Sequence, residues 1–353
     1  MKFLKKKKKK KKKKKNKNSL KHSLKDLNSF GVESFASNLF YINSLEDFSK
    51  LDLKIREKEI IILGGGTNML LKSRYIEKPI LKIQIQGIEI YNETENEVYV
   101  SVGAGVNWDQ FVWWCLDNNF GGVENLVSIP GNVGSAPIQN IGAYGKEVKD
   151  VIVSCEGIYI QNLLEKTFTN SECNFTYRSS IFKKKLKNLF AITKVNFVLK
   201  KNNHSIFSDY ESVKSALKKN NILNPSIIDI ANIIKEIRES KLPDYKVIGN
   251  AGSFFKNPLI NKEKFKKLKF DYEDIPYFNS NSNKVKIPAA WLIETCGFKK
   301  IKFNNVSVHN NQSLVIVNLG EAQGIDIYKF SQKIKESVLK KFDILLEEEV
   351  NIV

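Results

Sequence analysis

Between Ser128 and Gly145 the chain runs through eighteen residues in which glycine, proline, serine, asparagine and alanine outnumber everything else. Such a stretch cannot be the interior of a regular helix or strand. It is also too long for an ordinary connection, and long structured loops in compact domains are usually functional. An extended ligand lying against bare backbone would explain it; a plain surface loop is the alternative. A second glycine segment, Gly64-Gly65-Gly66-Thr67-Asn68, closes the short apolar run 59–63. Consecutive glycines admit positive φ, and their N–H groups can cradle phosphate oxygens. Neither a Walker loop nor a Rossmann fingerprint is present. No Gly-Lys-Ser/Thr follows, and Met69 stands where the third glycine belongs. Gly103-Ala104-Gly105 fails the same test, with Trp108 at that position.

Around these loops the pattern mixes helix and strand. Strands are predicted over 59–63, 79–87, 97–102, 150–160, 190–200, 314–317 and 346–353. Asn107 is placed to cap a helix bearing Trp108, Phe111, Val112 and Cys115 on one face. A helix through Ile230, Ile233, Ile234 and Ile237 should stop before Pro243. Residues 249–253 read as a glycine turn, 261–285 as polar and lysine-rich, and 287–296 as a helix. Ile327, Phe330, Ile334 and Val338 form a last helical stripe. Without a regular βαβ rhythm, these elements argue for an α+β fold in several lobes.

The formal charge of +19 invites a nucleic-acid or membrane partner. Residues 1–21, however, hold fourteen lysines and no acid, including the run Lys5–Lys15, which leaves +5 for the rest. A disordered tail is expected over 1–19. The body is only mildly basic, so no specific nucleic-acid partner is expected. No apolar run approaches the ~18 residues of a membrane helix, and no secretory signal is expected. Four scattered cysteines read as buried free thiols, and the three histidines have no metal spacing, so no metal is expected.

Five segments occur in order: Gly64–Asn68, Ile129–Gly145, Tyr177-Arg178-Ser179-Ser180-Ile181-Phe182, Gly249–Pro258 and Ala289-Ala290-Trp291-Leu292-Ile293. Together they resemble the UDP-N-acetylenolpyruvoylglucosamine reductase family, in its longer form with a lid in the substrate lobe. The resemblance covers roughly residues 20–353. It implies a two-lobed FAD-binding domain of the PCMH/vanillyl-alcohol-oxidase type and a C-terminal substrate-binding α+β domain. The implied division is 20–85 for the first lobe, joined by 351–353, then 86–242 for the second and 243–350 for the substrate domain.

The implied reaction is reduction of an enol ether in peptidoglycan precursor synthesis, in a cytoplasmic, monomeric enzyme. NADPH reduces FAD, hydride passes to the β-carbon of the enolpyruvyl group, and a proton is added at the α-carbon. That chemistry needs a cation at the substrate carboxylate, a proton donor, and a group facing the developing charge. By resemblance these are Arg178, Ser253 and Glu349. In a strand, Glu347 and Glu349 would share a face and Glu348 would oppose them. The implied FAD residues are Gly64, Gly65, Gly66, Thr67, Asn68, Ile129, Pro130, Gly131, Gly134, Ser135, Asn140, Gly142, Tyr144 and Arg238. Neither loop contains His or Cys, so the flavin should be non-covalent. Tyr177, Tyr210, Lys241, Asn257 and Gln312 match substrate-facing positions. At the lid the family's tyrosine falls on Phe278, with Tyr277 adjacent.

Overall fold

The strand Ile61–Leu63 leads into Gly64 and lies beside Ile80–Ile83, which lies beside Leu39–Ile42, all three parallel. Successive side chains point to opposite faces. Ile60, Leu81 and Ile83 therefore enter one hydrophobic core with Ile42 and Phe48, while Ile61, Leu63 and Ile80 enter another. The small sheet is a partition between two cores and has none of its own. The computed structural model describes residues 22–279 and 283–353. The lysine run and the expected tail over 1–19 lie outside the described residues.

The first core belongs mainly to a five-stranded antiparallel sheet. Its order is Glu165–Thr169, Ile152–Tyr159, Phe190–Lys200, Glu97–Gly103 and Ile88–Glu93. Ile88–Glu93 escaped the sequence pattern because it is an edge strand with mostly exposed side chains. Asn107 caps the helix Trp108–Asp117 as its spacing predicts, its side-chain oxygen accepting from the Gln110 N–H at 3.0 Å. Trp108, Phe111, Val112 and Cys115 are all buried. The helix Ile227–Lys241 starts in a capping box of Ser226 and Asp229, and buries Ile230, Ile233 and Ile234.

The second core holds the C-terminal part. Gly249–Ser253, Val315–Asn318 and Val306–Val308 form an antiparallel sheet, backed by the helices Ala289–Thr295 and Gly324–Phe342. One expectation is corrected here. Gly249–Ser253 is a strand and not a turn. A Cβ on Gly249 would lie 2.2 Å from the Phe30 carbonyl oxygen, so this glycine answers a close backbone approach. The polar stretch 261–285 contains the helix Lys262–Asp271, whose Phe265 and Leu268 are buried.

The predicted C-terminal strand is shortened to Asn351–Ile352, which pairs parallel with Met69–Leu70 just past the first glycine loop. Just before it, Glu348 bridges to Phe255. The segment thus stitches the C-terminal sheet to the N-terminal glycine loop. Cys115, Cys155 and Cys173 are buried thiols and Cys296 is half-buried. Among the described residues, no helix is long and apolar enough to cross a membrane.

Candidate active site

The two glycine segments touch. A Cβ on Gly65 would come within 2.9 Å of Asn132 Oδ1 and 3.0 Å of Gly131 Cα. Thr67 Oγ1 donates to the Pro130 carbonyl at 3.1 Å, and the buried Lys82 ammonium donates to the Gly64 carbonyl. Between the loops lies a cleft of about 150 Å³, lined by Gly64–Asn68, Ile129–Asn132, Ser135 and Gln139. Gly134 packs on Ala104, where a Cβ would sit 2.4 Å from the alanine methyl carbon.

The far end of the second loop is closed by Arg238. Its Nη2 donates to the Ser128 carbonyl at 3.2 Å, and Tyr144 lies within its electrostatic reach. Burial lowers the Arg238 pKa and raises that of Tyr144. Tyr144 meets Tyr210 edge-on at 5.3 Å. Arg238 Nε is buried without a partner. A buried unpartnered cationic donor beside a glycine cradle fits an anionic, extended cofactor such as FAD. Arg238 is therefore not a solvated helix-end charge. Asn140 plays a different part. It is fully buried; its Nδ2 donates to Glu147 Oε2 at 3.0 Å and its Oδ1 accepts from the Lys149 N–H at 3.1 Å. Its side chain braces the loop, and its backbone N–H donates to the Pro137 carbonyl at 3.4 Å.

Arg178 sits in a tight turn in which Thr176 and Ser179 exchange backbone hydrogen bonds of 2.9 and 3.1 Å. Its φ is +52°, unusual for a residue with a side chain. The guanidinium donates from Nη2 to the Gly142 carbonyl at 2.5 Å and from Nη1 to the Asn140 carbonyl at 3.4 Å. Nε lies 3.2 Å from Glu349 Oε1, and both side chains are under one-fifth exposed. Burial pushes the Glu349 carboxyl above its ordinary pKa, against Arg178, Lys183 and Lys256. The Glu349 N–H donates to the Phe254 carbonyl at 2.9 Å, which brings the residue after Ser253 against the Glu349 backbone.

The three glutamates lie before the strand Asn351–Ile352, and each has its own cation. Glu347 pairs with Lys256 at 2.5 Å, and Glu348 turns to Lys335 on the helix Gly324–Phe342 at 2.8 Å. Glu349 alone meets Arg178.

Lys286 is a site residue that sequence reading missed. Its ammonium lies 5.0 Å from the Tyr177 ring and 5.6 Å from the Phe278 ring. Burial, then Arg178, lowers its pKa. One lysine among many carries no local signal, so only its placement reveals it. At the lid, Phe278 faces this cation, whereas Tyr277 packs on Phe265 at 4.6 Å.

Asn257 Oδ1 accepts from the Ala289 N–H at 2.9 Å and so helps start the helix Ala289–Thr295. Lys241 ends the helix Ile227–Lys241 and is exposed. The loop carrying Gln312 reaches it through Asn311 Nδ2, which donates to the Ser240 carbonyl at 3.2 Å.

Comparison with known proteins gives a consistent result. Residues 243–353 match the family described as UDP-N-acetylenolpyruvoylglucosamine reductase, C-terminal domain. Residues 44–159 match an FAD binding domain. The chain is 45% identical over 331 residues to the UDP-N-acetylenolpyruvoylglucosamine reductase of Flavobacterium johnsoniae, covering 94% of this chain and 98% of that one. It is 40% identical over 336 residues to that of Bacteroides fragilis, covering 94% and 99%. The crystal structure of the Thermus caldophilus enzyme matches the fold with a TM-score of 0.66 at 19% identity, covering 94% and 99%.

Proposed function

The chain belongs to the UDP-N-acetylenolpyruvoylglucosamine reductase family, and from that premise we propose how its own residues carry the reaction. It is an FAD-dependent oxidoreductase that reduces the enolpyruvyl group of UDP-N-acetylenolpyruvoylglucosamine in peptidoglycan precursor synthesis. Bound FAD supplies hydride transfer, which none of the side chains can perform. We take NADPH as the electron source, the cytoplasm as the location and a monomer as the working form.

The cofactor is held by the two glycine loops, by Tyr144 and by Arg238, whose partnerless Nε points to an anionic guest. Arg178 is the cation for the substrate carboxylate. Its guanidinium is already fixed by the Gly142 and Asn140 carbonyls, so little reorganisation is needed when substrate arrives. Ser253 donates the proton to the α-carbon. An alkanol is a weak acid, so it depends on neighbouring charge. Glu349, whose carboxyl burial raises above its ordinary pKa, sits beside Arg178 and faces the developing charge. Tyr177, Tyr210, Lys241, Asn257 and Gln312 line the UDP-sugar side, and Lys286 offers a second cation to the anionic substrate. The substrate domain is assigned to 243–350, and the cofactor lobes to 20–85 with 351–353 and to 86–242.

The observation that carries this reading is the buried Arg178–Glu349 pair, anchored to the second glycine loop on one side and to the strand of Ser253 on the other. The test is a visible spectrum of the purified protein followed by NADPH oxidation with and without the enolpyruvyl sugar nucleotide. A flavin spectrum and substrate-dependent oxidation are expected. A protein that takes up no FAD on reconstitution, or oxidises NADPH equally without substrate, would refute the reading.

A further inference from the structure

Lys183 follows directly on the segment that carries Arg178, and none of the roles assigned above uses it. Its ammonium donates to Gln139 Oε1 at 3.2 Å and to the Glu349 carbonyl at 3.3 Å. Asn68, from the other side of the cleft, addresses the same two acceptors: Nδ2 donates to Gln139 Oε1 at 2.5 Å and to the Glu349 carbonyl at 3.4 Å. Two donors from different loops thus converge on one carbonyl.

That carbonyl matters because of what lies on the other side of its Cα. The Glu349 N–H is already held by the Phe254 carbonyl at 2.9 Å. With both flanking peptide groups fixed, the Cα–Cβ direction of Glu349 is fixed too. The carboxylate is then delivered to Arg178 Nε at 3.2 Å. Catalytic groups need placement within a fraction of an ångström, and supporting contacts supply it.

We propose that Lys183 is a positioning residue, whose ammonium pins the Glu349 backbone to Gln139 of the second glycine loop and thereby sets the aim of the Glu349 carboxyl. The proposal rests on the catalytic reading of Glu349. The charged groups around the ammonium are Lys256, Glu349, Glu347 and Lys187. Burial, helped by Lys256, brings the Lys183 pKa down to about 8, with Glu349 and Glu347 opposing and Lys187 adding slightly. Near neutrality the bonds are charge-assisted, and above about pH 8 they lose that charge. Charge-assisted bonds are roughly twice as strong as neutral ones.

Four variants of the flavin-loaded protein test this: Lys183→Met, Lys183→Arg, Glu349→Gln and the double variant of Lys183→Met with Glu349→Gln. Lys183→Met should lower kcat about 10- to 100-fold with KM within about threefold. Adding it to Glu349→Gln should cost less than threefold more, because the two changes remove one unit. In the wild type, kcat should fall through a basic limb near pH 8. Lys183→Arg should recover most of the rate and move that limb up by more than one pH unit. A limb that stays near pH 8 in Lys183→Arg would overturn the proposal. So would full additivity of the two losses. If Glu349→Gln itself kept full turnover, the catalytic reading of Glu349 would fall, and the positioning role with it. Flavin absorbance of each variant reports that the fold is intact.

Discussion

The two sides of the cleft are built from different materials. The side proposed to hold the cofactor consists largely of backbone: glycines that almost touch, carbonyls and N–H groups, and the orphaned guanidinium nitrogen of Arg238 at the far end. The side proposed for the substrate consists of charged side chains brought together from distant parts of the chain: Arg178 and Lys183, Lys286, and Glu349. Backbone surfaces tolerate no added atoms but require no particular side-chain chemistry. Charged clusters require that chemistry and depend on burial and mutual placement. Substitutions on the two sides should therefore fail in different ways.

The largest effect is expected at Ser253. Ser253→Ala should slow turnover by about 10²–10⁴, the range for a lost proton-transfer group, while NADPH still bleaches the flavin in the absence of substrate. Equal loss of both half-reactions in stopped-flow absorbance would break the comparison at its strongest point. Next is Arg178→Lys. It keeps the charge but gives up the fork that grips Gly142, Asn140 and Glu349. A charged hydrogen bond is worth about 1.5–3 kcal/mol, so kcat/KM should fall about 10- to 100-fold with flavin content unchanged.

On the cofactor side, Gly65→Ala should do the reverse. Its methyl group would press on Gly131 and Asn132, and overpacking of this kind costs about 1–3 kcal/mol. FAD titration of the apoprotein should show weaker binding, with turnover at saturating FAD little changed. A Gly65→Ala protein that binds FAD normally but turns over slowly would erase the distinction.

The mildest test is thermodynamic. Lys183 has a folded pKa near 8, below the ordinary lysine value of 10.5. Between those values the unfolded chain holds a proton that the folded protein has released. Stability contributed through this group therefore rises with pH across about 8 to 10.5 and is reduced below it. Urea unfolding of wild type against Lys183→Met should show the wild type gaining relative stability across that window. Parallel pH curves for the two proteins would contradict the burial of this charge.

Two glycine-rich segments mark the limits of reading the sequence. Gly64–Asn68 reads as a loop that closes a strand, and it is one. Gly249–Ser253 has similar composition yet is a strand, because its first glycine makes room for the Phe30 carbonyl. Glycine in a sequence signals either special φ or close approach, and only neighbours distant in sequence tell which. The Asn107 cap was legible for the opposite reason: it acts within one turn of chain. The edge strand Ile88–Glu93 was not, since an exposed strand leaves no apolar alternation.

The sequence by itself determined the backbone of the site. Its glycines and its five ordered segments are local properties, and through the family resemblance they carried the expectation of a flavin cradle and a catalytic trio. Tertiary structure alone decided the electrostatics. Glu347, Glu348 and Glu349 are adjacent and identical in type, yet each meets a different cation, because Lys256, Lys335 and Arg178 are brought to them by separate parts of the fold. Lys183 and Glu349, 166 residues apart, meet because the C-terminal segment returns to the first glycine loop. Charge acts through distance and burial, and neither quantity exists until the chain has folded.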